Sequence, residues 1–227
     1  MEPAPDSLRP ARFIDSDHPA IQAYAAAKAG GGDDLSRALR LYYAVRDEIL
    51  YDPYGVTLTP EAFKASVCLA RGRGFCVEKA GLLAAVARAA AIPARVGFAD
   101  VRNHLTTERL RRIMGGSDLF VYHGFAELWL EGRWVKATPA FNLTLCRRFG
   151  VKPLEFDGRS DSIFHPFDAS GRQHMEYVAD RGSHDDIPYD DIKRAFAQHY
   201  PGMFVGAQAV PSGADFGADG EAERRRI

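Results

Sequence analysis

Apolar residues recur every three or four positions at Leu35, Leu39, Tyr42, Val45 and Ile49, and this spacing predicts an amphipathic helix from a cap at Asp33 or Asp34 to about Tyr51. A shorter helix near His18 to Lys28 precedes it, with Pro19 at a tolerated first-turn position and Gly30-Gly31-Gly32 as its break. Asp52-Pro53-Tyr54-Gly55 ends the second helix. Thr59-Pro60-Glu61 then starts a brief one that runs into Cys68 and an Arg71 to Gly74 loop. The next helix opens at Cys76 and is closed by Pro93; its apolar stripe is Leu82, Leu83, Val86 and Ala90, with Lys79 and Arg88 off that stripe.

Beyond Pro93 the period changes from helical to alternating, and Ala94 to Val101 reads as a strand. Residues 105 to 117 look like an inserted helix, with Thr107 as cap and Gly115-Gly116 as its close. A strand over Phe120 to Leu130 turns at Glu131-Gly132 into Arg133 to Ala137, a hairpin. In the first of these strands His123, Phe125, Glu127 and Trp129 share one face. Small residues on the other, Gly124 and Ala126, let a helix pack closely there. From Pro139 to Pro188 little periodicity remains, which reads as ordered loops with short elements. Ile192 to Tyr200 is amphipathic and ends the fold, and the tail after Pro211 has a disordered composition. The expected organisation is a leader with a short helix over 1–32, a catalytic domain over 33–200 and a largely disordered tail over 201–227.

Composition changes this picture little. The 227 residues are 46% hydrophobic and 26% charged, as in an ordinary globular chain. Twenty-nine basic residues against 30 acidic ones leave a net charge of -1, which gives no general electrostatic reason to expect nucleic acid or an anionic membrane as partner. The three cysteines, at 68, 76 and 146, fit neither a disulfide framework nor a zinc pattern. That count, an N-terminal stretch without a signal-peptide pattern and the lack of any run of 18 uncharged apolar residues lead us to expect a cytoplasmic protein.

The candidate chemistry lies in Gly74-Phe-Cys-Val-Glu-Lys-Ala80, which opens a helix, and in His123, 47 residues beyond Cys76 on a strand. A thiol at the first turn of a helix feels the positive end of the dipole and free backbone N–H groups, both of which favour thiolate. An imidazole on a neighbouring strand completes the activation. Cysteine is more often a small buried hydrophobe, and Cys68 and Cys146, without a helix-start and glycine context, are read that way. His165, His174 and His184 have spacings that match no compact metal-ligand pattern and are read as loop histidines. Glu127 is balanced between an active-site wall and a paired strand carboxylate. Trp129 and Trp134 are read as hairpin packing, and the Glu108 to Arg112 run as a solvated helix face on an insertion able to overhang the cleft.

Four stretches in order resemble the transglutaminase-like superfamily: Tyr43 to Tyr51; Arg73-Gly-Phe-Cys76 with its helix and Ala91-Ile-Pro-Ala-Arg95; His123-Gly-Phe-Ala-Glu127-Leu-Trp129; and Gly132-Arg-Trp134-Val135. Together they span roughly residues 38 to 142. The resemblance implies an α+β, papain-like transglutaminase-core fold, with the nucleophilic cysteine at a helix start packed on an antiparallel sheet that carries the histidine. It also implies a Cys-His-Asp triad without a cofactor or metal, acting on a peptide, protein or small amide. The third position departs from the family pattern, because Thr138 stands where the acid belongs. Threonine accepts a hydrogen bond but brings no charge to an imidazolium. Thr138, Asn142 and Asp168 are therefore alternative orienting groups for His123. The expected activity is hydrolysis of an amide or peptide bond through a thioester. The alternative is a non-catalytic binding or scaffold module that keeps the fold with a weakened triad.

Overall fold

In the computed structural model, residues 3–103, 106–163, 175–201 and 214–225 are described. Helix α1 (Pro19–Ala29) begins at its proline and is capped by His18, whose Nδ1 accepts the Ala20 N–H at 3.2 Å. Helix α2 (Asp34–Glu48) is capped by Asp33, which accepts the Ser36 N–H at 2.9 Å. The helical period pointed to an end near Tyr51, but α2 stops at Glu48. The next residues leave as a short strand, β1 (Leu50–Tyr51), in parallel pairing with β2 (Arg73–Gly74). Between them the segment after Thr59 divides into a 3-10 turn at Pro60–Phe63 and α3 (Ala65–Arg71).

Helix α4 (Cys76–Ala89) is the axis of the molecule, with α1, α2 and α3 packed on one side and the main sheet on the other. It is buried all round, which corrects the single stripe that the sequence suggested: Lys79 and Arg88 are as deep as Leu82 and Val86. Both cations are anchored by backbone oxygens. Lys79 Nζ donates to the carbonyls of Arg46 (2.9 Å) and Ile49 (2.5 Å) at the end of α2. Arg88 donates to the carbonyls of Ala94 (2.9 Å), Arg9 (2.7 Å) and Asp185 (2.5 Å). Buried charge is tolerated only with such partners.

The main sheet has the order β5-β4-β3-β6 and is antiparallel throughout, built from β3 (Ala94–Asn103), β4 (Leu119–Leu130), β5 (Arg133–Ala137) and β6 (Met175–His184). The β4–β5 hairpin turns at Glu131 and Gly132, both at positive φ, and is closed by the edge-to-face pair Trp129–Trp134 at 5.5 Å. Helix α4 lies against β4 at Gly124, where a Cβ would come within 2.9 Å of Val77 Cα. Only glycine permits that approach.

Strand β6 and helix α6 (Leu143–Phe149) fall in the stretch read as loops. Helix α5 (Glu108–Ile113) is the expected insertion, capped by Thr107. Helix α7 (Tyr189–His199) returns to β4. A last helix, α8 (Phe216–Arg224), differs from the unstructured tail expected there. Phe216 is buried against Tyr51, Tyr54 and Phe149, which offsets the cost of ordering a polar segment. Among the described residues no helix is long and apolar enough to cross a membrane.

Candidate active site

Cys76 is the first residue of α4, and Phe75 before it is extended, so the chain turns sharply into the helix at the thiol. That entry is fixed by Glu78, whose Oε2 accepts the Phe75 N–H at 3.0 Å while Arg71 pairs with the same carboxylate at 2.6 Å. Backbone N–H groups of Val77 and of Gly124, the residue after His123, favour the thiolate of Cys76. The close packing of Gly124 on α4 thus brings the histidine-bearing strand to the helix start.

Cys76 and His123 line one cavity of about 40 Å³. Its walls come from Tyr51, Pro53 and Val56 beside β1, from Leu110 and Met114 on the α5 insertion, and from Phe196 and Tyr200 of the α7 region. The space admits a few waters and is far too small for a substituted amide. Both reactive side chains are nearly sealed, Cys76 at 6% exposure and His123 at 3%. Cys68 and Cys146 are deeper still, at 0% and 1%.

Burial dominates the electrostatics. It pushes the Cys76 thiol up to about 11, although the Gly124 and Val77 N–H groups act in the opposite direction, and it pulls His123 down to about 4. The phenols of Tyr51 and Tyr200 are raised by burial, with further repulsion from Cys76. A helix start alone points to thiolate. In this closed cavity desolvation outweighs the helix, and the pair rests as neutral thiol and neutral imidazole.

Of the three proposed orienting groups, Thr138 and Asn142 lie among the described residues. Thr138, just past β5, donates its N–H to Ser162 O (3.1 Å) and accepts the Tyr42 hydroxyl on its carbonyl (3.2 Å). Its own hydroxyl is buried without a hydrogen bond among the described residues. Asn142 accepts the Tyr51 N–H at 3.0 Å and donates to Thr144 Oγ1 at 2.5 Å, so it fixes a wall of the cavity. Asp168, His165 and His174 lie outside the described residues. His184 sits at the end of β6, its Nε2 3.2 Å from Arg181 O. Glu127 pairs with Arg95 across β4 and β3, the bland member of its two readings.

Sequence reasoning missed Tyr200 and Phe196 as parts of the site. Tyr200 Oη accepts the Val121 N–H and donates to Leu119 O, both at 2.7 Å, and so clamps β4 just ahead of His123. The amphipathic period of α7 showed that this segment packs, but not on what.

Residues 22–139, more than half of the chain, match the family model of the transglutaminase-like superfamily. The chain belongs to that superfamily. The matched span of this transglutaminase-like chain holds Cys76, His123 and Thr138, whereas Asn142, α7 and α8 lie beyond it. No curated protein matches the chain. Among solved structures it is similar to one described as a "putative cysteine protease" from Cytophaga hutchinsonii, at 17% identity and a TM-score of 0.45, over 78% of this chain and 53% of that one. Another is a "putative protease" from Parabacteroides distasonis, at 16% identity and a TM-score of 0.41, over 59% and 25%. The transglutaminase-like chain thus spans about half the length of the first and a quarter of the second.

Proposed function

We propose that the protein is a cysteine-nucleophile acyl-transfer enzyme that hydrolyses an amide or peptide bond through a thioester on Cys76. The observation that carries this reading is the convergence of Cys76, at a helix start, and His123, on the adjoining strand, on one cavity. His123 takes the thiol proton, Sγ attacks the carbonyl, and the Cys76 N–H receives the developing oxyanion. His123 then returns the proton to the leaving amine, and water releases the acid. The α5 wall has to move for a substrate to enter. Opening also admits water, which relaxes both pKa values toward one another and makes the proton transfer easier.

The buried Thr138 hydroxyl, uncharged and without a hydrogen bond among the described residues, favours a second reading, that of a binding module with a lapsed triad. One experiment separates the two. On incubation with p-nitrophenyl acetate, an acyl-transfer enzyme acquires an acetyl group on Cys76, seen by peptide mass spectrometry, and releases p-nitrophenol repeatedly. Replacement Cys76→Ala ends both and His123→Ala slows both. Absence of any Cys76 adduct in the folded wild type leaves the binding module.

A further inference from the structure

The pairing of β3 with β4 is broken one residue short of His123. Ala99 pairs with His123 and Val101 with Phe120, so Asp100 alone stands opposite two residues, Val121 and Tyr122. This is a β-bulge, and bulges re-aim the side chains that follow them. Tyr122 takes up the turn at φ 55°, in the left-handed region that a tyrosine rarely visits. Its N–H, freed from the ladder, is accepted by Asp100 Oδ1 at 3.1 Å. The carboxylate is itself held in a fork by Arg181 from β6, at 3.0 Å from Nε and 2.6 Å from Nη2, and the guanidinium lies 5.1 Å from the centre of the Tyr122 ring. The β3–β6 register shifts on both sides of Asp100 as well, so the three strands are adjusted around one side chain.

A bulge that served the sheet alone would not need a strained tyrosine and a nearly buried carboxylate held in a bidentate fork. We propose that Asp100 is a positioning residue for His123: by accepting the Tyr122 N–H it holds the bulge that sets where the imidazole enters the cavity. The inference rests on the Cys76–His123 reading above. Asp100 acts through the backbone of β4, as a hydrogen-bond acceptor, and not as a relocated third member of a triad. Arg181 keeps the acceptor in place.

The test follows Cys76 alkylation by iodoacetamide in the full chain, using peptide mass spectrometry, with circular dichroism to confirm folding. Asp100→Ala is expected to slow Cys76 about tenfold, since a displacement of the base by a fraction of an ångström is costly. Asp100→Asn, which still offers an oxygen to the Tyr122 N–H, is expected to stay within about threefold of wild type. In a His123→Ala background Asp100→Ala should add nothing, because the residue acts through His123. A folded Asp100→Ala protein at the wild-type rate overturns the proposal. So does an equal slowing in the His123→Ala background, or an Asp100→Asn rate as low as that of Asp100→Ala. Should Asp100→Ala fail to fold, Arg181→Met takes its place, with an intermediate slowing expected and a wild-type rate fatal. If His123→Ala alone leaves Cys76 unaffected, the cysteine–histidine reading itself fails, an outcome distinct from the others.

Discussion

The two flanks of α4 treat buried polar groups in opposite ways. Along its length, Lys79 and Arg88 are held by backbone carbonyls, two for the ammonium and three for the guanidinium. At its start, Cys76 and His123 face a small, mainly apolar cavity that drives both toward their neutral forms. Hydrogen bonds to backbone carbonyls tie distant segments together. Desolvation beside an open space stores reactivity that any wetting of the cavity releases. The fold therefore rests on the hydrogen-bonded flank, and the chemistry on the starved one.

The largest effect expected from breaking this division is on the satisfied side. Arg88→Met leaves the carbonyls of Arg9, Ala94 and Asp185 without their donor, and should cost about 3 kcal/mol or more in urea unfolding. A loss under about 1 kcal/mol would show that water replaces the guanidinium and that this flank is not the scaffold. On the starved side the linkage to pH is expected to be nearly as large at its limit. Folded His123 accepts a proton only near pH 4, whereas unfolded histidine does so near 6.5. Between these values the unfolded chain binds more protons, so the contribution is complete above 6.5 and is lost as the pH falls toward 4, by up to about 3 kcal/mol. Unfolding of wild type and His123→Phe should diverge over that window, with the variant flatter; parallel curves would mean that the imidazole is already wet.

A smaller effect is expected at the seam between the two flanks. In Gly124→Ala the new methyl meets the Val77 backbone at Cα, 2.9 Å away, so the strand must retreat from α4. We expect a loss of about 1 to 3 kcal/mol and a slower Cys76, because the Gly124 N–H withdraws from Sγ. Unchanged stability and alkylation would show that the contact has slack. The smallest effect belongs to Thr138→Val. The hydroxyl makes no hydrogen bond among the described residues, so its removal should leave stability and Cys76 alkylation within about 0.5 kcal/mol and twofold. A marked drop in alkylation would return Thr138 to the role of orienting His123.

What the sequence disclosed follows from the range over which each signal acts. Caps such as Asp33 and Thr107, the Glu131-Gly132 turn and the alternation in β4 are local, and each lies where the spacing put it. Cys76 and His123 were legible because a helix start and a small-residue strand face are also local patterns. Strand β6 was hidden: it is an edge strand, exposed along most of its length, so no burial imposed an alternating pattern on it. The depth of Lys79 and Arg88 was hidden as well, since their carbonyl partners come from residues remote in sequence. Asp100 did leave a trace, as the lone acid in the strand Ala94 to Val101, but its meaning depends on a bulge in the partner strand. Helix α8 had a composition that argued against order, and the seat of Phe216 works with the Tyr54–Asp219 and Arg109–Asp219 contacts to reverse that balance.

The graded depth of the three thiols gives the chain built-in clocks. Cys76 sits at the edge of a cavity covered by α5, while Cys68 and Cys146 are enclosed by packed helices. Labelling of a buried thiol has to wait for an opening that exposes it, and the size of that opening is read from how steeply its rate rises with denaturant. Cys76 should respond weakly to urea, as the cover lifts without the body unfolding. Cys68 and Cys146 should respond steeply and in step with each other, so that one labelling series separates the breathing of the site from the unfolding of the domain around it.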